Sequence, residues 1–296
     1  MQPTDADYLA TTEYYAHALD GHVYIRETLD AFMAVLAGRV ERLAHAPRIL
    51  ELGSHAGFIT ERLLKCWPDA SILVSDDDDA LVAMSRRRLG HGAVSYHSES
   101  LDSLDRGLDF AISVARHHHL PHDYLGALHA MMHPEMVYVL ADELCPEYCY
   151  GRYGARIAEA EVIHVVGGYV LTTRAEVTAF ERTGAIPEIA RELEQIRRRA
   201  LWRWYRFVVD EAVERGYFDI AVGELQSAHD DLITGSDAEH KFSPLIVERQ
   251  LELAGFRLLS KRAIGPADDV SRQSLFVYEF QPYGSEGASA ARVDAK

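Results

Sequence analysis

The sequence predicts an α/β fold: a doubly wound, mostly parallel sheet with an antiparallel last strand, an N-terminal helical segment and an inserted helical cap. Three observations predict it. From Arg48 onward, short apolar runs alternate with amphipathic helical stretches, which is the rhythm of βαβ units. The first of those runs closes on a glycine turn, Glu51-Leu52-Gly53-Ser54-His55-Ala56-Gly57, that opens a helix. The alternation lapses over 147–240 and then resumes, and roughly 90 residues are too many for a plain connection.

The elements follow in order. Ile25, Leu29, Phe32, Met33, Leu36, Val40 and Leu43 recur at helical steps, so the segment 1–46 is read as helical. The α/β core begins at 47 and runs to 146. Arg48 to Gly53 is a buried parallel strand, Phe58 to Trp67 a helix stopped by Pro68, and Ser71 to Val74 a second strand running into four aspartates. A helix over 81–89 follows, then strands over 93–97 and 108–114, a helix over 125–132 and a strand over 136–141. Within the cap, Glu188 to Tyr217 reads as helix with Trp202, Tyr205 and Val209 on one face. The core returns over 241–281: Ser243-Pro244 caps a helix to Leu253, Gly255 ends it, and strands follow over 256–260 and 274–280. The tail over 282–296 reads as disordered.

Charge narrows the partners. With 30 basic and 46 acidic residues the net charge is −16, and such a field repels nucleic-acid backbones and anionic membranes. Three cysteines (Cys66, Cys145, Cys149) do not make a disulfide framework, and there is neither a signal-like N-terminus nor an apolar run long enough to span a bilayer. The expectation is a cytoplasmic protein, monomeric or homodimeric, with a small-molecule substrate.

The glycine turn carries the chemistry. Its helix N-terminus offers unpaired N–H groups to a ligand. Asp76 closes the second strand about 20 residues later, where a carboxylate accepts ribose hydroxyls in nucleotide-binding folds. His55 stands where a pyrophosphate site needs glycine, and Glu51 before the turn suits a cationic ligand. Together these favour an adenosine carrying an amino acid over one carrying a diphosphate.

At this point the stretch from Arg48 to about Leu144, with the return from Lys241 to Phe280, resembles the class I S-adenosylmethionine-dependent methyltransferases. These are a Rossmann-like family with a seven-stranded sheet, and the likeness is to their small-molecule type. The family's turn is acidic-x-Gly-x-Gly-x-Gly; this chain keeps Glu51, Gly53 and Gly57 and has His55 at the middle glycine. The resemblance extends through Asp109 to Leu120, including His118-His119-Leu120, and through His133 to Glu143. It implies S-adenosylmethionine as cofactor, with Asp76 at the ribose, Asp77 next to it in the cofactor site, and Glu99 or Ser100 at the adenine. Glu51, Gly53, Ser54, His55, Gly57 and Ala115 complete the implied cofactor site.

Arg116 and His118 sit where relatives place their acceptor, and imidazole titrates near working pH, so His118 is the candidate base. Tyr15 and Tyr24 are candidate lid residues that cover a sulfonium by cation–π contact, or else pack on the core. No metal is expected, because consecutive histidines at 117–119 diverge and Cys145 and Cys149 lack ligand spacing. Arg199, Arg203 and Arg206 share a helical face and read as solvated more readily than as a substrate clamp. The expected reaction is methyl transfer to a small natural-product-like or amino-acid-like acceptor. Its rivals are attack on the aminocarboxypropyl carbon, as in azetidine-2-carboxylate synthesis with release of methylthioadenosine, and a non-catalytic S-adenosylmethionine-binding protein.

Overall fold

The computed structural model describes residues 13, 17–90, 94–97, 101, 107–120, 124–234, 241–266 and 269–283. Helix α1 (Ile25–Val40) buries Leu29, Phe32 and Leu36, the apolar stripe of the sequence. Strand β1 (Arg48–Leu52) is buried from Ile49 on, as expected of a strand covered on both faces. Helix α2 (Phe58–Cys66) leads to β2 (Ser71–Ser75), and α3 (Asp79–Leu89) to β3 (Val94–His97). The aspartate run resolves into distinct jobs, since Asp78 caps α3 by accepting from the Ala80 and Leu81 amides at 2.8 and 3.2 Å. Strand β4 (Phe110–Val114), helix α4 (Tyr124–Met131) and strand β5 (Val137–Glu143) complete the parallel half, and both strands are buried throughout.

After the cap come α9 (Pro244–Leu253), β8 (Phe256–Ile264) and β9 (Leu275–Pro282). The seven strands lie in the order β3-β2-β1-β4-β5-β9-β8. Strands β1 to β5 pair in parallel and β9 runs antiparallel to both its neighbours. Chain direction across the sheet reverses between β1 and β4. That is the switch point at which open α/β sheets bind ligands, beyond the carboxyl ends of the strands. Leu50, Ile72, Ile112 and Val139 are fully buried at the sheet centre, each worth about 1.5–3 kcal/mol of burial.

The interval 147–240 is less purely helical than the sequence suggests. It holds α5 (Arg152–Ala158), α6 (Arg174–Thr183), the 27-residue α7 (Glu188–Glu214) and α8 (Phe218–His229). A two-stranded hairpin, β6 (His164–Val166) and β7 (Tyr169–Leu171), lies between α5 and α6. Its strands of three residues are too short to leave a period-two signal, and the Gly167-Gly168 turn between them is their one mark in the sequence. The buried face of α7 is Leu201, Trp204, Tyr205 and Val208, whereas Trp202 is 47% exposed. The buried face is thus rotated by about a quarter turn from the expected Trp202–Tyr205–Val209 stripe, with Tyr205 common to both. Arg199, Arg203 and Arg206 are exposed. At the start of α9, Ser243 turns its hydroxyl to Cys149 Sγ (3.3 Å), and Glu147 takes over by accepting from the Leu245 amide at 3.1 Å.

Candidate active site

A cavity of about 730 Å³ opens over the carboxyl ends of β1, β2, β4 and β5, walled by residues 18–29, by α2 and by α8 of the cap. Its size falls in the range of small-molecule sites, about 300–1,000 Å³. Gly53, His55, Asp76, Ala115, Arg116 and His118 all line it, so the turn and two strand ends converge on one space.

The turn is built on left-handed backbone. Gly53 and Gly57 have φ of +90° and +85°, and between them His55 and Ala56 have φ of 43° and 51°. Two consecutive non-glycine residues in this region carry strain, of the kind that collects at ligand sites. The His55 ring faces the cavity, and burial together with the nearby Arg116 charge pushes it down to about 4, so it meets a ligand as a neutral imidazole. Asp76 is buried at the end of β2. Its Oδ2 accepts from the Ser54 amide at 2.6 Å and its Oδ1 from the Asp78 amide at 2.9 Å, which fixes the carboxylate at the cavity edge.

Several candidates lie off the cavity wall. Glu51 points behind the turn, where Thr60 Oγ1 donates to it at 2.6 Å, and burial pushes its carboxyl up to about 8. Its side chain belongs to the β1–α2 contact and not to the cavity surface. Ser54 is fully buried and contributes its backbone amide to Asp76. Gly57 packs against Ser85 and Arg88, and Asp77 turns outward with its side chain 83% exposed. Tyr24 packs against the core cluster at the start of α1 and does not line the cavity. Glu99, Ser100 and Tyr15 lie outside the described residues.

On the cavity wall, His118 Nδ1 is 2.6 Å from Asp142 Oδ1. Asp142 also accepts from the Glu143 amide at 2.7 Å and the His118 amide at 3.3 Å. Burial opposes its ionisation, but the His118 charge and hydrogen bond outweigh it and hold Asp142 below the usual carboxylate range. The adjacent His119 also lines the cavity and is pushed down to about 3 by burial and by His118. A carboxylate-oriented imidazole next to a neutral one is a proton-accepting arrangement.

The cap end holds a buried polar network that had no motif to announce it. Lys241 Nζ donates to Glu143 Oε1 (2.7 Å) and to the Tyr205 hydroxyl (3.0 Å), and Tyr205 donates onward to Asp231. Trp204 Nε1 donates to the same Glu143 oxygen at 2.9 Å, tying α7 to β5. His22 Nε2 lies 3.4 Å from Glu143 and 3.5 Å from Glu224. The four groups that face the cavity come from four separate segments: His22, Glu143, Glu224 and Lys241. Each alone reads as an ordinary charged residue, and only the tertiary fold joins them. Among the described residues no group of three or more His, Cys, Asp or Glu is arranged to hold a metal ion, and no helix is long and apolar enough to cross a membrane.

No family model matches the chain. It is similar over short stretches to two malonyl-[acyl-carrier protein] O-methyltransferases. That of Bacillus cytotoxicus is 36% identical over 61 residues, 21% of either chain. That of Bacillus cereus is 31% identical over 87 residues, 29% of this chain and 32% of the other. The matches thus span about a fifth and a third of those relatives. Among solved structures, a SAM-dependent methyltransferase from Aquifex aeolicus superposes with a TM-score of 0.47 at 14% identity, covering 93% of this chain and 98% of that one. In its own strand order, with β9 antiparallel to both neighbours, the chain has the Rossmann-like fold that its sequence predicts.

Proposed function

We propose that the protein binds S-adenosylmethionine and transfers its methyl group to a small molecule enclosed beneath the cap. One observation carries this reading: a single cavity joins the fixed Asp76 carboxylate at the switch point to the His118–Asp142 pair. The residues present suit the cofactor. Asp76 has lone pairs beyond its two amide bonds for ribose hydroxyls, and Gly53 keeps the floor of the site at backbone level. His55 is uncharged, so it does not repel a sulfonium. When bound, the cofactor supplies an electrophilic methyl group, so the protein's task is alignment and the exclusion of water.

His118 supports that task directly. Donation from Nδ1 to Asp142 leaves Nε2 as the basic nitrogen, able to take the proton of an acceptor hydroxyl or amine as the methyl arrives. Asp142 fixes the ring and stabilises the imidazolium that results. The segment 18–29 and helix α8 enclose the acceptor, with His22, Glu224 and Lys241 offering it polar contacts.

Product identification tests the reading. The protein is incubated with S-adenosylmethionine and a metabolite extract, and the nucleoside is identified by mass spectrometry. S-Adenosylhomocysteine formed only when extract is present is the expected result. Methylthioadenosine formed without extract, or no nucleoside product at all, overturns methyl transfer.

A further inference from the structure

Arg116 lies across the switch point in a way that the acceptor role given to it by position does not explain. Its stem rests on the glycine turn, so that a Cβ at Gly53 would come within 2.7 Å of Arg116 Cγ. Its Nη2 is 2.9 Å from Asp77 Oδ1 and 3.6 Å from Asp76 Oδ1. Its Nε is buried and without a hydrogen-bond partner. Among the described residues, the other Lys and Arg side chains on the cavity wall have carboxylate partners: Arg62 with Asp30 of α1, Lys65 with Glu61, and Lys241 with Glu143.

From these contacts we infer that Arg116 is the carboxylate-binding residue of the cofactor site, and that it exchanges its present aspartate partners for the amino-acid carboxylate of the ligand. The assignment rests on the S-adenosylmethionine reading and refines it. A guanidinium holds a carboxylate best side-on, through Nε and one Nη together. Here Nε is unpaired, and Nη2 is held by Asp77, whose side chain is 83% exposed. An exposed pair of this kind is weak and readily exchanged. Asp76 is the more strongly fixed of the two aspartates, through the Ser54 and Asp78 amides, so it stays in place while Arg116 changes partner. The nucleoside then occupies the space beside Asp76 that the guanidinium vacates, and the amino-acid portion lies over Gly53 between β1 and β4.

Calorimetry with two probes separates this role from a general one. S-Adenosylhomocysteine carries the carboxylate, whereas 5′-methylthioadenosine has the same nucleoside and lacks the amino acid. Arg116→Ala and Arg116→Gln should each weaken S-adenosylhomocysteine about 10- to 100-fold, the loss of a charge-assisted pair. Both should leave methylthioadenosine unchanged or tighter, which also shows that the variants are folded. Asp77→Ala should tighten S-adenosylhomocysteine by removing the competing partner. Equal losses for both probes, or no loss for S-adenosylhomocysteine, overturn the assignment while the cofactor reading stands. Failure of the unaltered protein to bind either probe overturns both.

Discussion

Lys241 Nζ lies 2.7 Å from Glu143 Oε1, joining the segment that returns from the cap to the end of β5. Both groups are buried, and burial opposes the charge on each. The Lys241 charge, then the His22 hydrogen bond and charge, hold Glu143 well below its ordinary range, while Glu143 raises Lys241. Such a pair adds little over an apolar pair of similar volume, but losing one member strands the other. Lys241→Met should therefore cost about 3–5 kcal/mol in denaturant unfolding, and Lys241→Met with Glu143→Gln should recover most of that loss. A double variant as unstable as the single one would mean that the pair is not the source of the effect.

Removing the base should separate chemistry from binding. His118→Ala should lower turnover of the acceptor by about 10²–10⁴-fold, with S-adenosylhomocysteine affinity within about threefold of the unaltered protein, a difference worth less than 1 kcal/mol. Asp142→Asn should lower turnover as well, because it withdraws the charge that stabilises the imidazolium. Single-turnover rates at saturating cofactor, set beside calorimetric affinities, make the comparison. A parallel loss of affinity and rate would place His118 in cofactor binding.

Asp142 also predicts behaviour in acid. Its native pKa is depressed, so the stability it contributes is present above the unfolded-state value of about 3.9 and is lost as pH falls through the native value. The unaltered protein should lose stability on acidification through this window more steeply than Asp142→Asn. Thermal melts between pH 6 and pH 3 measure the difference. Parallel curves would mean that Asp142 gains nothing from His118 in the folded state.

The first two strands were legible because they are apolar runs that lead directly into Gly53 and Asp76. Arg48–Leu52 and Ser71–Ser75 fall where those runs lie. Asp76 and His118 follow the exits of β2 and β4, so their positions in the sequence already bring them to one end of the sheet. Side-chain direction was not legible. Glu51 has the position of a ligand-facing carboxylate yet turns toward Thr60, and nothing in a linear pattern distinguishes the two faces of a strand end buried on both sides. The cap network was hidden by distance in sequence: His22, Glu143, Glu224 and Lys241 meet only through the packing of the inserted helices on β5.

Glu51 supplies a further pH dependence, of opposite sign. Its carboxyl is buried against Thr60 and its native value is about 8, against 4.5 for the free group. Below pH 4.5 both folded and unfolded chains hold the proton and nothing is gained or lost. As pH rises from there toward 8, the unfolded chain releases the proton while the folded one keeps it, so stability falls, by up to about 3 kcal/mol at pH 7. Glu51→Gln keeps the shape and a hydrogen bond to Thr60 but carries no ionisable group. It should raise the melting temperature at pH 7.5 and leave it nearly unchanged at pH 4.5. A bound sulfonium favours the ionised carboxyl, so cofactor binding by the unaltered protein at pH 7 should release a fraction of a proton, seen as calorimetric heats that depend on the buffer. Glu51→Gln should abolish that release. If the variant is destabilised equally at both pH values, Glu51 is ionised in the folded state and serves Thr60 as a permanent acceptor.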